Sequence, residues 1–250
     1  MKIATWNVNG LRAREAQLVN WLESERPDIV CLQEIKASRD QIPPMLQEAA
    51  GYWCHWHGER AYSGVALLVR AGLCGDAPHV AAPSFDFETR IVASAINGVI
   101  VASVYVPNGG KDLEAKFRFL ESLEAFAEEH RVRGEAVVLC GDLNIAHADI
   151  DVHPKERKPR AIGQLPAERA AFDRLLARGL IDVCRSREPG NEGLFTWWAP
   201  WRNLRQRNIG WRIDYVLASD ALAARAVSST VRADVGTSDH APVVVDFSGW

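Results

Sequence analysis

The sequence predicts an α/β protein built as a four-layer sandwich, in which two facing mixed β-sheets are flanked by helices. Strand-like and helix-like segments alternate from the first residue to the last without a linker, so residues 1–250 are expected to form a single domain. A hairpin signal at Asn97-Gly98 inside this alternation argues against a purely parallel array. The nucleotide-binding loops G-x-G-x-x-G and Walker A, which would favour such an array, are missing from the sequence.

Three segments show the spacing of amphipathic helices. Residues 11–25 place apolar side chains at helical intervals and stop before Pro27, which cannot continue a helix. Residues 111–131 and 166–178 show the same spacing. Gly179 follows the last of them at the position where a left-handed residue commonly ends a helix.

Strands are indicated between these helices. Residues 65–69 form an apolar run after a Ser-Gly pair, and residues 90–96 and 99–106 form two more. The last two are joined by Asn97-Gly98, whose residues both tolerate the positive φ of a tight hairpin turn. Most of the C-terminal quarter is also expected to be strand.

Composition excludes several classes of protein. The net charge of −3 gives no overall attraction for a polyanion, so contact with nucleic acid has to come from local patches. The N-terminus becomes polar too early for a signal peptide, and no apolar run approaches the length of a membrane span. The five cysteines are odd in number and lack C-x-x-C spacing, which indicates free thiols in a reducing, cytoplasmic setting.

Five stretches of the chain run as apolar strands into acidic, amide or imidazole side chains. A strand end holds its side chain on a rigid scaffold yet open to water, where site chemistry is usually found. If the five ends converge, they bring together three or four acids, two amides and one histidine, a set suited to a hard cation with a general base beside it. The stretches are residues 3–7, 29–34, 137–144, 211–214 and 238–240, the last just ahead of an apolar strand.

Each of these polar groups also has an ordinary structural explanation. Asn9 can cap the helix that starts near residue 11, which leaves Asn7 as the better candidate for a ligand or a substrate donor. Glu34 can be a solvated strand end or a direct ligand of a hard cation. Asp142 and Asn144 can form an Asx turn, or they can present an acceptor and a donor to one site. Together these polar groups favour a functional site, because otherwise every one of the structural explanations would have to be true at the same time.

His240 is either a structural histidine or a catalytic one, and a catalytic role needs a second group to fix its tautomer. Adjacent side chains on an extended segment point to opposite sides, so Asp239 is not expected to bond to it. Asp214, at the end of a different strand, is available for that role.

Seven short motifs follow one another over almost the whole chain. They are residues 6–12 (WNVNGLR), 32–34 (LQE), 62–65 (YSGV), 105–108 (YVPN), 141–144 (GDLN), 210–215 (GWRIDY) and 238–242 (SDHAP). In this order they resemble the exonuclease III and apurinic/apyrimidinic (AP) endonuclease family, within the deoxyribonuclease-I-like superfamily of metal-dependent phosphoesterases. The resemblance implies the same four-layer α/β sandwich that the pattern of elements favours.

The resemblance implies a divalent metal site, with Mg²⁺ as the cofactor and Mn²⁺ as a substitute. Glu34 would hold the ion, with Asp239 and the pair Asn7 and Asn9 close by. Some relatives carry aspartate at the position of Asn9. The amide lacks the negative charge, so contact through a water molecule is expected there.

The resemblance also implies catalytic roles. Asp142 would position or deprotonate the attacking water. His240, oriented by Asp214, would donate a hydrogen bond to a phosphate oxygen and stabilise the charge that builds there. The residues implied to hold the scissile phosphate are Tyr105, Asn108 and Asn144.

Residues 194–213 form an aromatic and basic stretch with four tryptophans, four arginines and no acid. One interpretation is that the tryptophans, above all Trp198, are core residues and the arginines belong to a solvated loop. The other is a loop that inserts apolar surface into DNA while Arg207 and its neighbours contact phosphates. The residues that the resemblance places in a flat-walled pocket for an abasic sugar are Trp197, Trp211 and Ile213.

Two further basic features allow either a solvated surface or contact with DNA. Residues 155–160 carry four cations and one acid. Lys111 follows Asn108-Gly109-Gly110, where some relatives use arginine against DNA. Lysine keeps the charge but lacks the bidentate fork of arginine.

The function expected from these observations is Mg²⁺-dependent hydrolysis of DNA on the 5′ side of an abasic site, with 3′→5′ exonuclease or 3′-end repair activity. The partner would be double-stranded DNA with abasic or 3′-blocked sites, and the protein a cytoplasmic monomer without membrane attachment. The aromatic and basic stretch argues against a small-molecule phosphoesterase. A catalytically silent DNA-binding relative is disfavoured because the acids and His240 are all present.

Overall fold

The computed structural model describes residues 1–47, 49, 51–59 and 61–249. Its strands are β1 (Lys2–Asn7), β2 (Ile29–Gln33), β3 (Tyr52–Glu59), β4 (Tyr62–Arg70), β5 (Val80–Ala81), β6 (Ile91–Ile96), β7 (Val99–Tyr105), β8 (Ala136–Asp142), β9 (Leu180–Asp182), β10 (Asp214–Ser219), β11 (Ala226–Val231) and β12 (Val243–Phe247). Its α-helices are α1 (Glu15–Glu25), α2 (Pro44–Gln47), α3 (Leu113–Val132), α4 (Pro166–Leu176), α5 (Val183–Arg187) and α6 (Asp220–Ala223). Short 3-10 turns occupy Leu11–Arg14, Arg39–Gln41, Ala71–Leu73, Asp149–Asp151 and Pro154–Glu156.

The strands form two mixed sheets of six strands each. The first sheet has the order β11-β12-β1-β2-β4-β3, and the second has the order β5-β6-β7-β8-β10-β9. Each sheet contains one parallel pair, β1 with β2 in the first and β7 with β8 in the second, and its other neighbours are antiparallel. This arrangement explains the hairpin inside an otherwise alternating sequence.

Three apolar layers hold the sheets and helices together. The layer between the sheets takes residues from both, such as Val65 of the first sheet and Val216 of the second. On the outer face of the first sheet α1 packs through Trp21, and on the outer face of the second sheet α3 and α4 pack through Phe119 and Phe172. Burying one such side chain contributes roughly 1.5–3 kcal/mol, so these layers dominate the stability. The predicted four-layer α/β sandwich is confirmed.

The strand directions bring the polar ends of both sheets to one edge. β1 and β2 end at this edge, and so do β7 and β8, because each pair is parallel. β12 runs antiparallel to β1 and β10 runs antiparallel to β8, so these two strands begin there. A hydrogen bond of 2.9 Å from Asn7 at the end of β1 to Asp142 at the end of β8 joins the two edges.

One predicted strand is wrong. Residues 211–214 were expected to form a strand that ends at Asp214, but β10 begins at Asp214. Trp211 instead makes single bridges to Val152 and Trp197. Asp214 nevertheless reaches the shared edge, because it pairs with Asp142 across the antiparallel strands.

Most of the other predicted elements are present, with small differences at their ends. The helix expected at 11–25 begins as the 3-10 turn, and the one expected at 111–131 is α3. Asn97 and Gly98 form the predicted hairpin turn with φ of 49° and 81°. The sequence did not indicate β3, because it lies at the edge of a sheet, is half-exposed on both faces and lacks a clean alternation of apolar residues. Within the described ranges, no helix has the length and hydropathy required to cross a bilayer.

Gly141 in β8 lies against the backbone of β7. A Cβ atom there would lie 1.8 Å from the main-chain oxygen of Val104, and its φ is 156°. We predict that Gly141→Ala lowers the free energy of unfolding by about 3 kcal/mol or more, because the two strands must move apart. Urea denaturation followed by circular dichroism measures the change.

Gly134→Ala serves as the matched control. Gly134 has a φ of 71°, and a Cβ there meets nothing within 4 Å, so only the left-handed conformation costs free energy, about 1 kcal/mol. Equal losses for the two variants would contradict the proposed steric cause at Gly141.

Candidate active site

Asn7 lies at the centre of the polar edge. Its Nδ2 donates hydrogen bonds of 2.9 Å to Oε1 of Glu34 and of 2.9 Å to Oδ2 of Asp142. Its Oδ1 accepts a hydrogen bond from the main-chain nitrogen of Asn9 at 3.0 Å. The side chain is fully buried at the end of β1, so it holds carboxylates from both sheets at fixed positions.

Glu34 follows β2 in the left-handed region, with a φ of 50°. Such a conformation is uncommon for glutamate and is characteristic of functional positions. Lys36 forms a 2.7 Å salt bridge with its Oε2. Burial alone would raise the pKa of Glu34, but the hydrogen bonds from Asn7 and Lys36 outweigh it and lower the pKa, so the carboxylate is charged. Sequence reasoning missed Lys36, although its position two residues after Glu34 was a usable signal.

Asp142 and Asn144 form the Asx turn that the sequence allowed, and both also line one cavity. The Oδ1 of Asp142 accepts a hydrogen bond from the main-chain nitrogen of Asn144 at 2.9 Å, which is the Asx turn, while its Oδ2 faces Asn7. The Nδ2 of Asn108 donates to Oδ1 of Asn144 at 3.1 Å. Burial and the nearby Glu34 and Asp214 carboxylates raise the pKa of Asp142 to about 7, although the His240 charge opposes the shift.

His240 and Asp214 form the expected pair. The Nδ1 of His240 lies 2.9 Å from Oδ2 of Asp214, which also accepts a hydrogen bond from the Thr196 hydroxyl at 2.6 Å. Burial alone would lower the pKa of His240, but the Asp214 carboxylate outweighs it and raises the pKa to about 10. His240 is therefore cationic, and its Nε2 lies 3.9 Å from Oδ2 of Asp142. Thr196 was not identified from the sequence.

The side chain of Asp239 bonds to Asn9 and Trp197 rather than to His240, as predicted for adjacent residues of an extended segment. Its Oδ1 accepts a 2.7 Å hydrogen bond from Nδ2 of Asn9, and its Oδ2 accepts a 2.9 Å hydrogen bond from the indole of Trp197. The interpretation of Asn9 as a helix cap is wrong, since Gly10 occupies the cap position and no side chain caps the turn. Burial alone would raise the pKa of Asp239, but the His240 charge and these hydrogen bonds outweigh it, so the pKa is lowered.

The carboxylates, rather than the amides or the imidazole, fit a metal ion. Ligand-type atoms of Glu34, Asp142 and His240 lie within 4.8 Å of one another. His240 is cationic and bonded to Asp214, so it offers a donor and no free lone pair. The Oδ1 atoms of Asn7 and Asn9 already accept hydrogen bonds. Charged carboxylate oxygens are the ligands that hard cations prefer, so the set of residues could hold such an ion.

These groups open into a cavity of about 370 Å³. Ten of the fifteen predicted site residues line it: Glu34, Tyr105, Asn108, Asp142, Asn144, Trp197, Trp211, Ile213, Asp239 and His240. Asn7, Asn9 and Asp214 lie behind the lining and are hydrogen-bonded to it. Ile162 and Gly163 complete the lining and were not predicted.

Aromatic side chains form one wall of the cavity. The rings of Trp197 and Trp211 meet edge to face with their centroids 5.5 Å apart, and Ile213 packs beside them. A Cβ at Gly163 would lie 2.9 Å from the ring of Trp211, so only glycine lets the chain pass so close. Trp198 is buried in a separate apolar cluster, as expected for a core residue.

Two predicted DNA-contacting residues lie outside the cavity lining. Lys111 is exposed, and its Nζ lies 5.4 Å from the centre of the Tyr62 ring. Arg207 is exposed on the turn between Trp198 and Trp211. The cations of the 155–160 run are also exposed. Contact of these residues with DNA therefore stays a prediction.

The family model for the Endonuclease/Exonuclease/phosphatase family matches residues 4–240. The chain belongs to this family. An exodeoxyribonuclease of Bacillus subtilis is 36% identical over 249 residues, which cover 97% of this chain and 98% of that protein. The resemblance to exonuclease III and AP endonucleases is thereby confirmed, and so is the predicted class of activity, a DNA repair nuclease that hydrolyses phosphodiester bonds.

Solved structures agree over the full length of the chain. The 3′ phosphatase NExo from Neisseria, bound to a product DNA hairpin, superposes with a TM-score of 0.90 at 34% identity, covering 100% of both chains. An AP endonuclease from Archaeoglobus fulgidus superposes with a TM-score of 0.86 at 30% identity, also covering 100% of both chains.

We predict that Asp214→Asn lowers kcat for DNA cleavage about 10²-fold or more, because His240 loses the charge that keeps it cationic and oriented. The Kd for DNA should stay nearly unchanged, since Asp214 lies behind the cavity lining. Single-turnover kinetics and a binding titration separate the two quantities.

Asp246→Asn is the control for this variant. Asp246 in β12 accepts a hydrogen bond from Ser228 in β11, and it pairs with Lys2 at the opposite end of β1 from the site. A loss of kcat in Asp246→Asn equal to that in Asp214→Asn would show that general destabilisation is the cause.

Proposed function

We propose that this protein cleaves the phosphodiester on the 5′ side of an abasic site in double-stranded DNA, leaving a 3′-hydroxyl, and that it also acts on blocked or unpaired 3′ ends. The observation that carries the proposal is the composition of one cavity, where buried acids and a cationic histidine face a wall of two tryptophans. The named activities of the relatives, AP endonuclease, exodeoxyribonuclease and 3′ phosphatase, support it.

The polar side of the cavity suits a phosphate in a hydrolysis reaction. His240 would donate from Nε2 to a non-bridging oxygen, since its Nδ1 is bonded to Asp214. Asp142 lies 3.9 Å from that nitrogen and would orient the attacking water and accept its proton. The residues proposed to hold the phosphate through neutral donors are Tyr105, Asn108 and Asn144.

We propose Mg²⁺ as the cofactor, with Mn²⁺ as a substitute. Glu34 and Asp239 would hold it, with Asn7 and Asn9 supporting the two carboxylates by hydrogen bonds. When bound, the ion would offset the negative charge of the phosphate and lower the pKa of a coordinated water. Glu34 is 16% exposed, which leaves it accessible from the cavity.

The aromatic side suits a sugar without a base. A deoxyribose that lacks its base presents a compact apolar face, and extruding it from the duplex costs little stacking energy. Trp197, Trp211 and Ile213 would enclose it. The exposed Lys111, Arg207 and the 155–160 run would contact phosphates outside the cavity, so affinity should fall with rising salt.

We propose in addition that residues 1–250 act as one catalytic domain, as a monomer in the cytoplasm. Residues of both sheets share the apolar layer between them, which supports a single domain. Cys31, Cys140 and Cys184 are free and buried in that layer, which fits a reducing compartment.

Removal of the metal should abolish cleavage of a duplex that carries one abasic site. We expect cleavage with Mg²⁺, none with excess EDTA, and recovery when Mg²⁺ or Mn²⁺ is restored. Glu34→Gln should lower kcat about 10²-fold at saturating Mg²⁺, because the neutral amide is a weaker ligand for a hard cation.

Glu23→Gln is the matched control, since Glu23 is an exposed glutamate in α1 outside the cavity lining. Gel analysis of the products on abasic, 3′-phosphate and intact duplexes identifies which bond breaks. Equal cleavage with Mg²⁺ and with EDTA would exclude the metal role, and failure to cut any of the three duplexes would exclude the proposed activity.

Trp211→Ala should reduce the preference for abasic over intact DNA roughly tenfold, because the wall that fits the bare sugar is lost. General affinity for DNA should change much less, since that affinity comes from the exposed cations. Competition between abasic and intact duplexes in one reaction measures the ratio of their kcat/KM values.

Trp53→Ala provides the comparison, because Trp53 is a 40% exposed tryptophan on β3 that does not line the cavity. An unchanged abasic preference in Trp211→Ala would mean that Trp211 serves only as a packing residue.

A further inference from the structure

A buried ion pair lies behind the wall of the cavity. Lys116 of α3 and Glu168 of α4 form a salt bridge, and both side chains are completely buried. Taking two charges out of water is costly, and an apolar pair of similar volume is often at least as stable. Stability alone therefore does not account for this pair.

The ammonium of Lys116 uses all three of its donors on groups that build the site. One goes to Glu168, and the others go to the main-chain oxygens of Asn108 at 3.1 Å and of Asn144 at 2.8 Å. The side chains of these two asparagines line the cavity and are hydrogen-bonded to each other at 3.1 Å. Lys116 thus fixes the backbone on the polar side of the cavity.

Glu168 fixes the backbone on the aromatic side. Its Oε2 accepts hydrogen bonds from the main-chain nitrogens of Gly163 at 2.6 Å and of Leu165 at 2.9 Å. The bond to Leu165 is an ordinary helix cap, since Glu168 is the third residue of α4. The bond to Gly163 is additional, and it places the residue that lies against the Trp211 ring.

We propose that the Lys116–Glu168 pair is a positioning element that sets the distance between the two sides of the cavity. On one side it holds Asn108 and Asn144, and on the other it holds Gly163 beneath Trp211. The pair touches no reacting atom and acts through the backbone of these segments. The inference rests on the proposed function, because that function assigns the phosphate to the first side and the abasic sugar to the second.

The geometry predicts that changes to this pair lower kcat on the abasic duplex by more than the loss of thermal stability explains. Lys116→Met and Glu168→Gln each leave a buried group without its partner, so both should lower the melting temperature and kcat on the abasic duplex. The double variant Lys116→Met/Glu168→Met removes both charges and should recover most of the melting temperature. Its kcat should remain about 10–10²-fold low, because displacements near 1 Å are enough for such losses. KM should change less than about threefold in all three variants.

Glu25→Gln is the control for disrupting a buried ionic contact. Glu25 is 8% exposed and paired with Lys2 and Arg232, at the opposite end of β1 from the site. The Glu25→Gln variant should have a lower melting temperature but an unchanged kcat. Recovery of kcat together with the melting temperature in the double variant would overturn the inference and leave the pair a structural one.

Amide hydrogen exchange gives a second readout that needs no substrate. Exchange at residues 144–146 and 161–165 should become faster in Lys116→Met and in the double variant, but not in Glu25→Gln. Unchanged exchange in both segments would overturn the inference even if kcat falls. If the wild-type protein fails to cleave abasic DNA, the proposed function is lost, while the exchange result still decides whether the pair positions these segments.

Discussion

The site depends on one amide that holds carboxylates from two different sheets. The Nδ2 of Asn7 donates to both Glu34 and Asp142, at 2.9 Å each. Carboxylates this close repel one another unless each has its own compensating group. Lys36 compensates Glu34, and His240 lies near Asp142. Asp142 is more deeply buried than Glu34, and this burial, together with the Asp214 and Glu34 carboxylates, raises its pKa to about 7.

This concentration of charge is possible because of the strand directions. In each sheet a parallel pair ends at the shared edge, and an antiparallel strand beside that pair begins there. Asp142 and Asp214 are consequently direct neighbours on adjacent strands, although they lie 72 residues apart in the sequence. The backbone of the sheets leaves these side chains little freedom, which suits the proposed role of holding one phosphate in one orientation.

The other half of the cavity is built from loops. Trp197 and Trp211 belong to irregular segments joined by single bridges, and Gly163 belongs to the turn before α4. In the proposed function, the polar strand ends would supply the chemistry and the loops would supply the shape that selects the substrate. The full-length agreement with a 3′ phosphatase and with an AP endonuclease is consistent with this division, because one scaffold carries differently named activities.

The sequence by itself determined the sandwich, the helices, the hairpin and the residues of the polar edge, because periodicity, turn chemistry and short motifs are local properties of the chain. It could not show that β10 begins at Asp214 or that Thr196 supports Asp214. Nor could it show that Lys116 and Glu168, 52 positions apart, meet behind the cavity. These contacts join segments distant in the chain, and each lone residue has an ordinary surface or capping explanation. Which of these residues come into contact is decided only when the two helices pack on a sheet and the two sheets pack on each other.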